Sequence, residues 1–502
     1  MLLKRVCTFL LLLFFWKAAS SVTFDRHKEF LVAESAKMDL LQLDRELINN
    51  LIIYAEKVEE KVAQLQRLVR EIRQPLEAAK GVEEEYLGNP LHSFPLIRHM
   101  YQDWHYLEEF MKKSVGEEQI DFLKSKLPEL PWPADTDEAT LAIIRMAEVY
   151  GMMPWEMAHG LIDNVRYNST LSALDCFEIA KAYFKLGQFK EAVQWLTNTR
   201  TRMAEPSSGV YEVLGMTSRD VALLEARCLM ELGLKEDAEE VLLEQPDLAE
   251  NSTTLLDQFA ANPFKAVDFG HDFTEDYKRL CRSSSPTKSS RLSCRYITTT
   301  SPFLILAPLK MEEVSLEPYI MVYHDILPVK DVEELKLLAE HKLKPMEVFG
   351  EHGGFEGRSA LKTILPYKDM PPSGELLLDR LTKRMRDITG LKICDRHSVN
   401  YIQFGFGGHY SSNHHDLFNE SNAVPKGCND RSASFIFYLD DVPHGGATVF
   451  PRINVKVSAE RGKVLFWRHV NGESHKMDWH ASCPVFDGSN SGKKLKFAFN
   501  YG

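Results

Sequence analysis

The sequence of 502 residues is too long for one hydrophobic core, and about two to four domains are expected. Hydrophobic residues make up 44% and aromatic residues 10%, which argues against general disorder. The net charge of −12 argues against a nucleic-acid surface, because such a surface needs clustered positive charge.

Lys4 and Arg5 precede an apolar run from Phe9 to Trp16, and the small residues Ala18, Ala19, Ser20 and Ser21 follow. This order predicts a signal peptide over residues 1–20, cleaved near Ser20 or Ser21, rather than a membrane anchor. The run is shorter than the roughly 20 residues of a span, and no later segment is long and apolar enough, so a lumenal protein without a membrane span is expected. Asn-x-Ser/Thr sequons at Asn168, Asn251 and Asn419 fit a glycoprotein of the secretory pathway. Without Cys7 in the signal, seven cysteines remain, so at least one is a free thiol or bridges to another chain. Cys281 and Cys294 flank a Ser/Arg-rich loop and are the expected intrachain disulfide.

From Leu41 onward, Leu41, Ile48, Ala55, Val62 and Val69 recur every seven residues, with Leu51, Val58, Leu65 and Ile72 in the second seam position. The pattern predicts a coiled-coil arm for self-dimerisation within a helical domain over 21–134, closed at Pro75; an amphipathic helix packed on its own domain is the alternative. Residues 135–260 carry two related hairpin patterns. In one, Gly187 precedes Ala192; in the other, Gly233 precedes Ala238, each at five residues. Such units predict a tetratricopeptide-like domain whose concave groove suits an extended peptide, or else a plain helical spacer. A linker is expected over 261–310. Over 311–502, short β-branched and aromatic runs alternate with turns: Ile320 to Tyr323, Ser398 to Phe404, Phe435 to Leu439, Thr448 to Phe450, Val464 to Trp467 and Leu495 to Tyr501. Helices are expected only around Val332–His341 and Gly374–Ile388. The fold class is therefore α+β and multidomain, ending in a double-sheet jelly roll, or double-stranded β-helix.

Within the β region lie His414-His415-Asp416 and, 64 residues beyond Asp416, His480. Two imidazoles and one carboxylate make a facial triad that leaves positions open on iron(II), as oxygen chemistry with a chelating 2-oxo acid requires. Residues two apart on a strand share a face, so His414 and Asp416 can serve one metal while His415 points away.

These residues stand in a longer series: Gly407-Gly408-His409-Tyr410, Gly445-Gly446-Ala447-Thr448-Val449-Phe450-Pro451, Phe466-Trp467 and His480-Ala481-Ser482-Cys483-Pro484-Val485. Upstream stand Tyr277-Lys278-Arg279-Leu280-Cys281-Arg282, Cys294-Arg295-Tyr296, Leu306-Ala307-Pro308 and His324-Asp325-Ile326. In order and spacing the chain resembles the collagen prolyl 4-hydroxylase alpha subunit family along nearly its whole mature length, as a divergent member. The resemblance implies a dioxygenase of the endoplasmic reticulum lumen. Its iron(II) is held by His414, Asp416 and His480, its cosubstrates are 2-oxoglutarate and O2, and ascorbate keeps the iron reduced. Peptidyl proline becomes 4-hydroxyproline as 2-oxoglutarate becomes succinate. It further implies a protein disulfide isomerase beta subunit as partner, self-dimerisation through the N-terminal helices, a proline-rich peptide as substrate, and Tyr410, Thr448 and Trp467 in the cofactor pocket.

The family holds the distal carboxylate of 2-oxoglutarate with a lysine, and Lys493, Lys494 and Lys496 are the candidates here. Strand parity sets Leu495, Phe497, Phe499 and Tyr501 on one face and Lys494, Lys496, Ala498 and Asn500 on the other; Lys496 is the choice, with Lys494 the alternative. The chain departs from the family in a residue inserted between Tyr410 and His414, in Phe404 at the place of a pocket tyrosine, and in ending at Gly502, which leaves Cys483 without its usual downstream partner. Phe184, Phe189, Leu224, Arg227 and Met230 occupy groove positions where the family is rich in tyrosine, so ordinary collagen is not the expected best substrate. Two rivals accompany this reading: a non-catalytic peptide-binding or dimerising paralogue, and an oxygenase of lysine or of a non-collagen proline.

Overall fold

The computed structural model describes residues 34–162, 165–204, 209–267, 273–284, 290–340, 342–345, 348–349, 355–356, 360–365, 371–390, 399–414, 431–469, 477–486 and 492–500; of 34–35, 209, 340, 345, 348–349, 355–356, 411–414, 431–432 and 492–500 it describes the backbone alone. The proposed signal segment, Asn419, Cys394, Cys428 and Asp416 lie outside these residues. The chain divides into two compact units, Glu34–Trp132 and the remainder from Pro133 onward.

The first unit is helical, built on α1 (Glu34–Ala79), α2 (Pro90–Lys112) and α3 (Glu117–Lys126). Helix α1 does not close at Pro75 but runs through it to Ala79. A proline removes one backbone donor and crowds the turn before it, which bends a helix without always ending it. The seam residues Leu41, Ile48, Leu51, Val62 and Val69 stand exposed along it.

The second unit begins with α4 (Pro133–Tyr150) and continues in two helical hairpins, α5 (Ala173–Lys185) with α6 (Phe189–Met203) and α7 (Ser218–Glu231) with α8 (Lys235–Leu243), followed by α9 (Ser252–Ala261) and α10 (Glu275–Arg282). The hairpins repeat the same local chemistry. Ser172 caps α5 in a capping box with Asp175, and Thr217 caps α7 in one with Asp220. Gly187 and Gly233 end α5 and α7 at φ +74° and +78°, where only glycine avoids strain. Each turn closes by the same pair of backbone bonds, Gly187 N to Phe184 O with Gln188 N to Tyr183 O, and Gly233 N to Met230 O with Leu234 N to Leu229 O. Ala180, Ala192, Trp195, Ala226 and Ala238 are fully buried where the helices cross.

The remaining chain forms β1 (Cys294–Ile297), β2 (Leu309–Leu316), β3 (Tyr319–His324), α11 (Val329–Glu340), β4 (Lys344–Pro345), β5 (Ala360–Leu365), α12 (Pro372–Thr389), β6 (Val399–Phe404), β7 (Tyr410–His414), β8 (Arg431–Tyr438), β9 (Thr448–Phe450), β10 (Val455–Val457), β11 (Val464–Arg468), β12 (His480–Ser482) and β13 (Gly492–Asn500). One antiparallel sheet has the order β1-β2-β3-β11-β8-β13-β6-β5-β4, and a smaller one β7-β12-β9-β10. The large sheet is buried on both faces, which is why β8 reads as an almost unbroken apolar run. Ala433, Phe435 and Phe437 join Leu335, Leu377, Leu381 and Met385 of α11 and α12 in one core. The alternate residues Ile436 and Tyr438 join Ile402, Phe404 and Trp467 with Phe450, Val455 and Val457 of the small sheet in another.

The outer face of the small sheet is covered by helix. Val149, Tyr277, Leu280 and Cys281 pack on Ala447, Val449, Ala481 and Cys483. Across this contact the Tyr277 hydroxyl donates to Ser482 O at 2.9 Å, Tyr150 to Pro484 O at 2.6 Å, and Arg145 Nε to Gly407 O at 3.2 Å. Complete burial pushes the Tyr277 hydroxyl well above the usual range, so it stays a neutral donor. A disulfide joins Cys281 to Cys483, with Cα atoms 5.7 Å apart. The expected Cys281–Cys294 bridge is therefore replaced: Cys294 starts an edge strand opposite Glu312, exposed and unbridged, while α10 turns Cys281 onto the small sheet. Cys483 thus finds its partner 202 residues upstream.

Candidate metal centre

Strands β7 and β12 lie side by side, and His414 is the register partner of His480. Tyr410 pairs with Ser482, so four steps along β7 match two along β12. That irregularity takes up the extra length between Tyr410 and His414 and leaves the two histidines opposite each other. Asp416 lies outside the described residues, and among the described residues no three His, Cys, Asp or Glu side chains form a metal-binding group.

His480 is buried, with the Trp467 ring 4.7 Å and the Phe450 ring 5.7 Å from its own. Its Nδ1 lies 3.1 Å from the carbonyl oxygen of Asp478. A carbonyl only accepts, so Nδ1 carries the proton and Nε2 the lone pair, the form in which imidazole ligates a metal. Thr448, also buried, accepts from the Tyr438 hydroxyl at 2.8 Å and is the register partner of Ser482 on β12. Burial raises the Tyr438 hydroxyl pKa, which keeps it protonated as that donor. Tyr410, Thr448, Trp467 and His480 are thus gathered at the small sheet and the core between the sheets, and Phe404 contributes a buried apolar ring to that core.

The lysines are placed by register. Lys496 stands between Asn400 of β6 and Ile436 of β8, and Lys494 between Ile402 and Tyr438. Ile402, Ile436 and Tyr438 all belong to the core between the sheets. Leu495 and Phe497 instead align with Phe437 and Phe435 of the helix-covered core.

A second layer lies behind His480. Asp478 is buried and accepts from His469 Nδ1 at 2.8 Å; His469 Nε2 is 3.0 Å from the hydroxyl of the buried Ser434. The His469 and Asp478 side chains are 1% and 0% exposed, so an acid–imidazole pair sits in the interior at the residue whose backbone carbonyl holds His480. The sequence reading missed all three residues. Strand period was the available signal: His469 is two beyond Trp467 and Asp478 two before His480, so each shares a face with a site residue.

In the helical hairpins, Phe184 and Phe189 lie together at a ring separation of 5.6 Å, and Arg227 stands on α7 of the second hairpin. The segment Asn262–Val267 after α9 meets these residues. The Phe264 ring is 4.3 Å from that of Phe184 and 6.4 Å from that of Phe189, and Arg227 Nη2 donates to Asn262 O.

Residues 33–164 match the family model for the N-terminal region of the prolyl 4-hydroxylase alpha subunit. The chain is 27% identical over 499 residues to prolyl 4-hydroxylase subunit alpha-1 of Mus musculus, covering 92% of each chain. It is 24% identical over 493 residues to subunit alpha-2 of Gallus gallus, covering 92% of this chain and 91% of that one. Among solved structures, a viral collagen prolyl hydroxylase from Paramecium bursaria Chlorella virus 1, in its 2OG complex, is 20% identical with a TM-score of 0.28, over 37% of this chain and 97% of that chain. A Pseudomonas putida prolyl-4-hydroxylase is 15% identical with a TM-score of 0.27, over 36% and 92%. The matched N-terminal region and the near full-length likeness thus make the chain similar to prolyl 4-hydroxylase alpha subunits.

Proposed function

We propose that this chain is the alpha subunit of an iron(II)- and 2-oxoglutarate-dependent prolyl 4-hydroxylase. The observation that carries the reading is the register pairing of His414 with His480, whose Nδ1–H is tied to a backbone carbonyl. This donor set fits iron(II): two imidazoles from adjacent strands, with Asp416 two residues beyond His414 completing a facial triad. The bound iron with 2-oxoglutarate and O2 supplies the oxidising power, and ascorbate restores it after unproductive turnover. The protein's part is to orient His480 between Trp467 and Phe450, to exclude water with the apolar core between the sheets, and to present a cation from β13 to the cosubstrate's distal carboxylate. The register supports Lys496 for that cation, with Lys494 the alternative, since both align with residues of that core. Tyr410, Thr448 and Trp467 line the same pocket.

The two sheets form the double-stranded β-helix domain over 311–502, and the hairpins of 135–260 form a tetratricopeptide-like site for proline-rich peptide. The helical domain over 21–134 dimerises through the exposed seam of α1. Segment 261–310 links them, and a protein disulfide isomerase subunit in the endoplasmic reticulum lumen is the partner. The test is succinate release by the chain co-purified with protein disulfide isomerase, with and without a proline-rich peptide. Peptide-dependent release is expected; peptide binding without release would mark a non-catalytic paralogue.

The layer beneath His480 makes a separate prediction. His469→Leu removes the donor to Asp478 and is expected to weaken Mn(II) binding by about 10–100-fold, the cost of losing an outer-shell partner. His469→Gln keeps a donor and should recover most of that loss. Equal Mn(II) affinities for all three proteins, measured by titration, would deny the layer any part in holding His480.

A further inference from the structure

We infer that the peptide groove of the helical hairpins is occupied by the chain's own segment Asn262–Val267, which an incoming peptide must displace. The inference rests on the reading of α5 to α8 as the peptide site, and it adds the first occupant of that site and the ligand chemistry it fits.

The segment reads Asn-Pro-Phe-Lys-Ala-Val and has no helix or strand of its own. Its hold on the hairpins is distributed along its length. At its start, Arg227 Nη2 donates to the carbonyl of Asn262. The Phe264 amide then donates to Glu231 Oε1 at 2.8 Å, and the same carboxylate oxygen accepts from Arg227 Nε at 3.1 Å. The Phe264 ring joins the two aromatic residues of the first hairpin in one cluster, tilted against Phe184 and edge-on to Phe189. At its end, the Val267 amide donates to Lys185 O at 3.0 Å, capping a carbonyl of the last turn of α5. Ala266 lies against the Gly187 turn so closely that a Cβ on that glycine would stand 2.7 Å from the Ala266 methyl.

These contacts use the grip by which proteins hold extended proline-containing peptides: aromatic faces for the rings and polar groups for the main chain. Phe184, Phe189 and Arg227 hold the segment, and these are three of the groove positions singled out from the sequence. The segment is a weak competitor by construction. Phe264 alone is half-buried, whereas Asn262, Pro263, Lys265, Ala266 and Val267 remain exposed, so the apolar area holding it is that of one ring. A peptide that places rings on Phe184 and Phe189 displaces it, and its measured affinity is reduced by the fraction of molecules in which the segment is seated. The ligand class that follows is an extended peptide carrying a proline next to an aromatic or second proline ring.

The experiment uses the full chain with its disulfide isomerase partner and two labelled probes, poly-L-proline and the hexapeptide Asn-Pro-Phe-Lys-Ala-Val. Phe264→Ala is expected to tighten both by about tenfold, as when a site nine-tenths closed is opened. Ala266→Arg, which sets a bulky side chain against the Gly187 turn, should act in the same direction. A gain in affinity cannot come from misfolding. Probes that bind the wild-type and both variants equally would overturn the cis occupancy while leaving the peptide groove standing. A hexapeptide that gains affinity where poly-L-proline never binds would retain the occupancy and remove proline peptides as its competitor. Neither probe binding any of the three proteins would overturn both.

Discussion

His480→Ala is expected to abolish peptide-dependent succinate release and to lower Mn(II) affinity by well over the roughly 100-fold that marks loss of an outer-shell group. His480 supplies one of only two imidazoles in the proposed triad, and the rings packed against it, Trp467 and Phe450, have no ligating atom of comparable strength. Truncation also removes a buried ring, so lost packing must be separated from lost ligation. Phe450→Leu provides that control, since it thins the same wall without touching a donor atom. It should lower the melting temperature and retain metal. The ordering His480→Ala far below His469→Leu, with Phe450→Leu near wild type, is the signature of a ligand, a support and a packing neighbour. A His480→Ala protein that still bound Mn(II) and turned over would remove His480 from the metal.

The sequence made the strands and their parity readable because period-two patterns survive wherever a sheet has two different faces. Leu495 and Phe497 align with the helix-covered core and Lys494 and Lys496 with the other, as the alternation along β13 indicates. The hairpin turns were readable for a local reason, since Gly187 and Gly233 sit where φ must be positive. What escaped the sequence depends on contacts between distant segments. Pro75 is a strong local breaker, yet α1 continues to Ala79. The layer of Ser434, His469 and Asp478 draws on three separate stretches and carries no motif of its own. The segment Asn262–Val267 reads as linker because its contacts are with the helical hairpins rather than within its own pattern. Asp416, the proposed third ligand, and the side chains of Lys494 and Lys496 lie outside what the structure describes.

Removing the Cys281–Cys483 bridge by the double change Cys281→Ser and Cys483→Ser is expected to cost about 2–5 kcal/mol, seen as a lower melting temperature by calorimetry. The bridge closes a loop of 202 residues, so in the chain-entropy account it restricts the unfolded ensemble strongly. It also ties α10 to the small sheet immediately after β12, beside the Tyr277–Ser482 bond, so β12 should loosen with it and Mn(II) affinity should fall in parallel. Cys294→Ser is the matched control. That thiol is exposed and unbridged, and its loss should change stability by less than about 0.5 kcal/mol. Among the described residues the other thiols do not complicate the comparison: burial pushes Cys176 and Cys228 up to about 12, so neither is a thiolate able to exchange at neutral pH. The sequence alone favoured Cys294 as the partner of Cys281 because the two flank one loop. The fold favours Cys483 because α10 packs its buried face on the sheet that carries His480, and a disulfide follows spatial rather than sequential proximity. A Cys281–Cys294 peptide in a non-reduced digest would reverse that conclusion, and the packing of α10 against β12 would have to be abandoned with it.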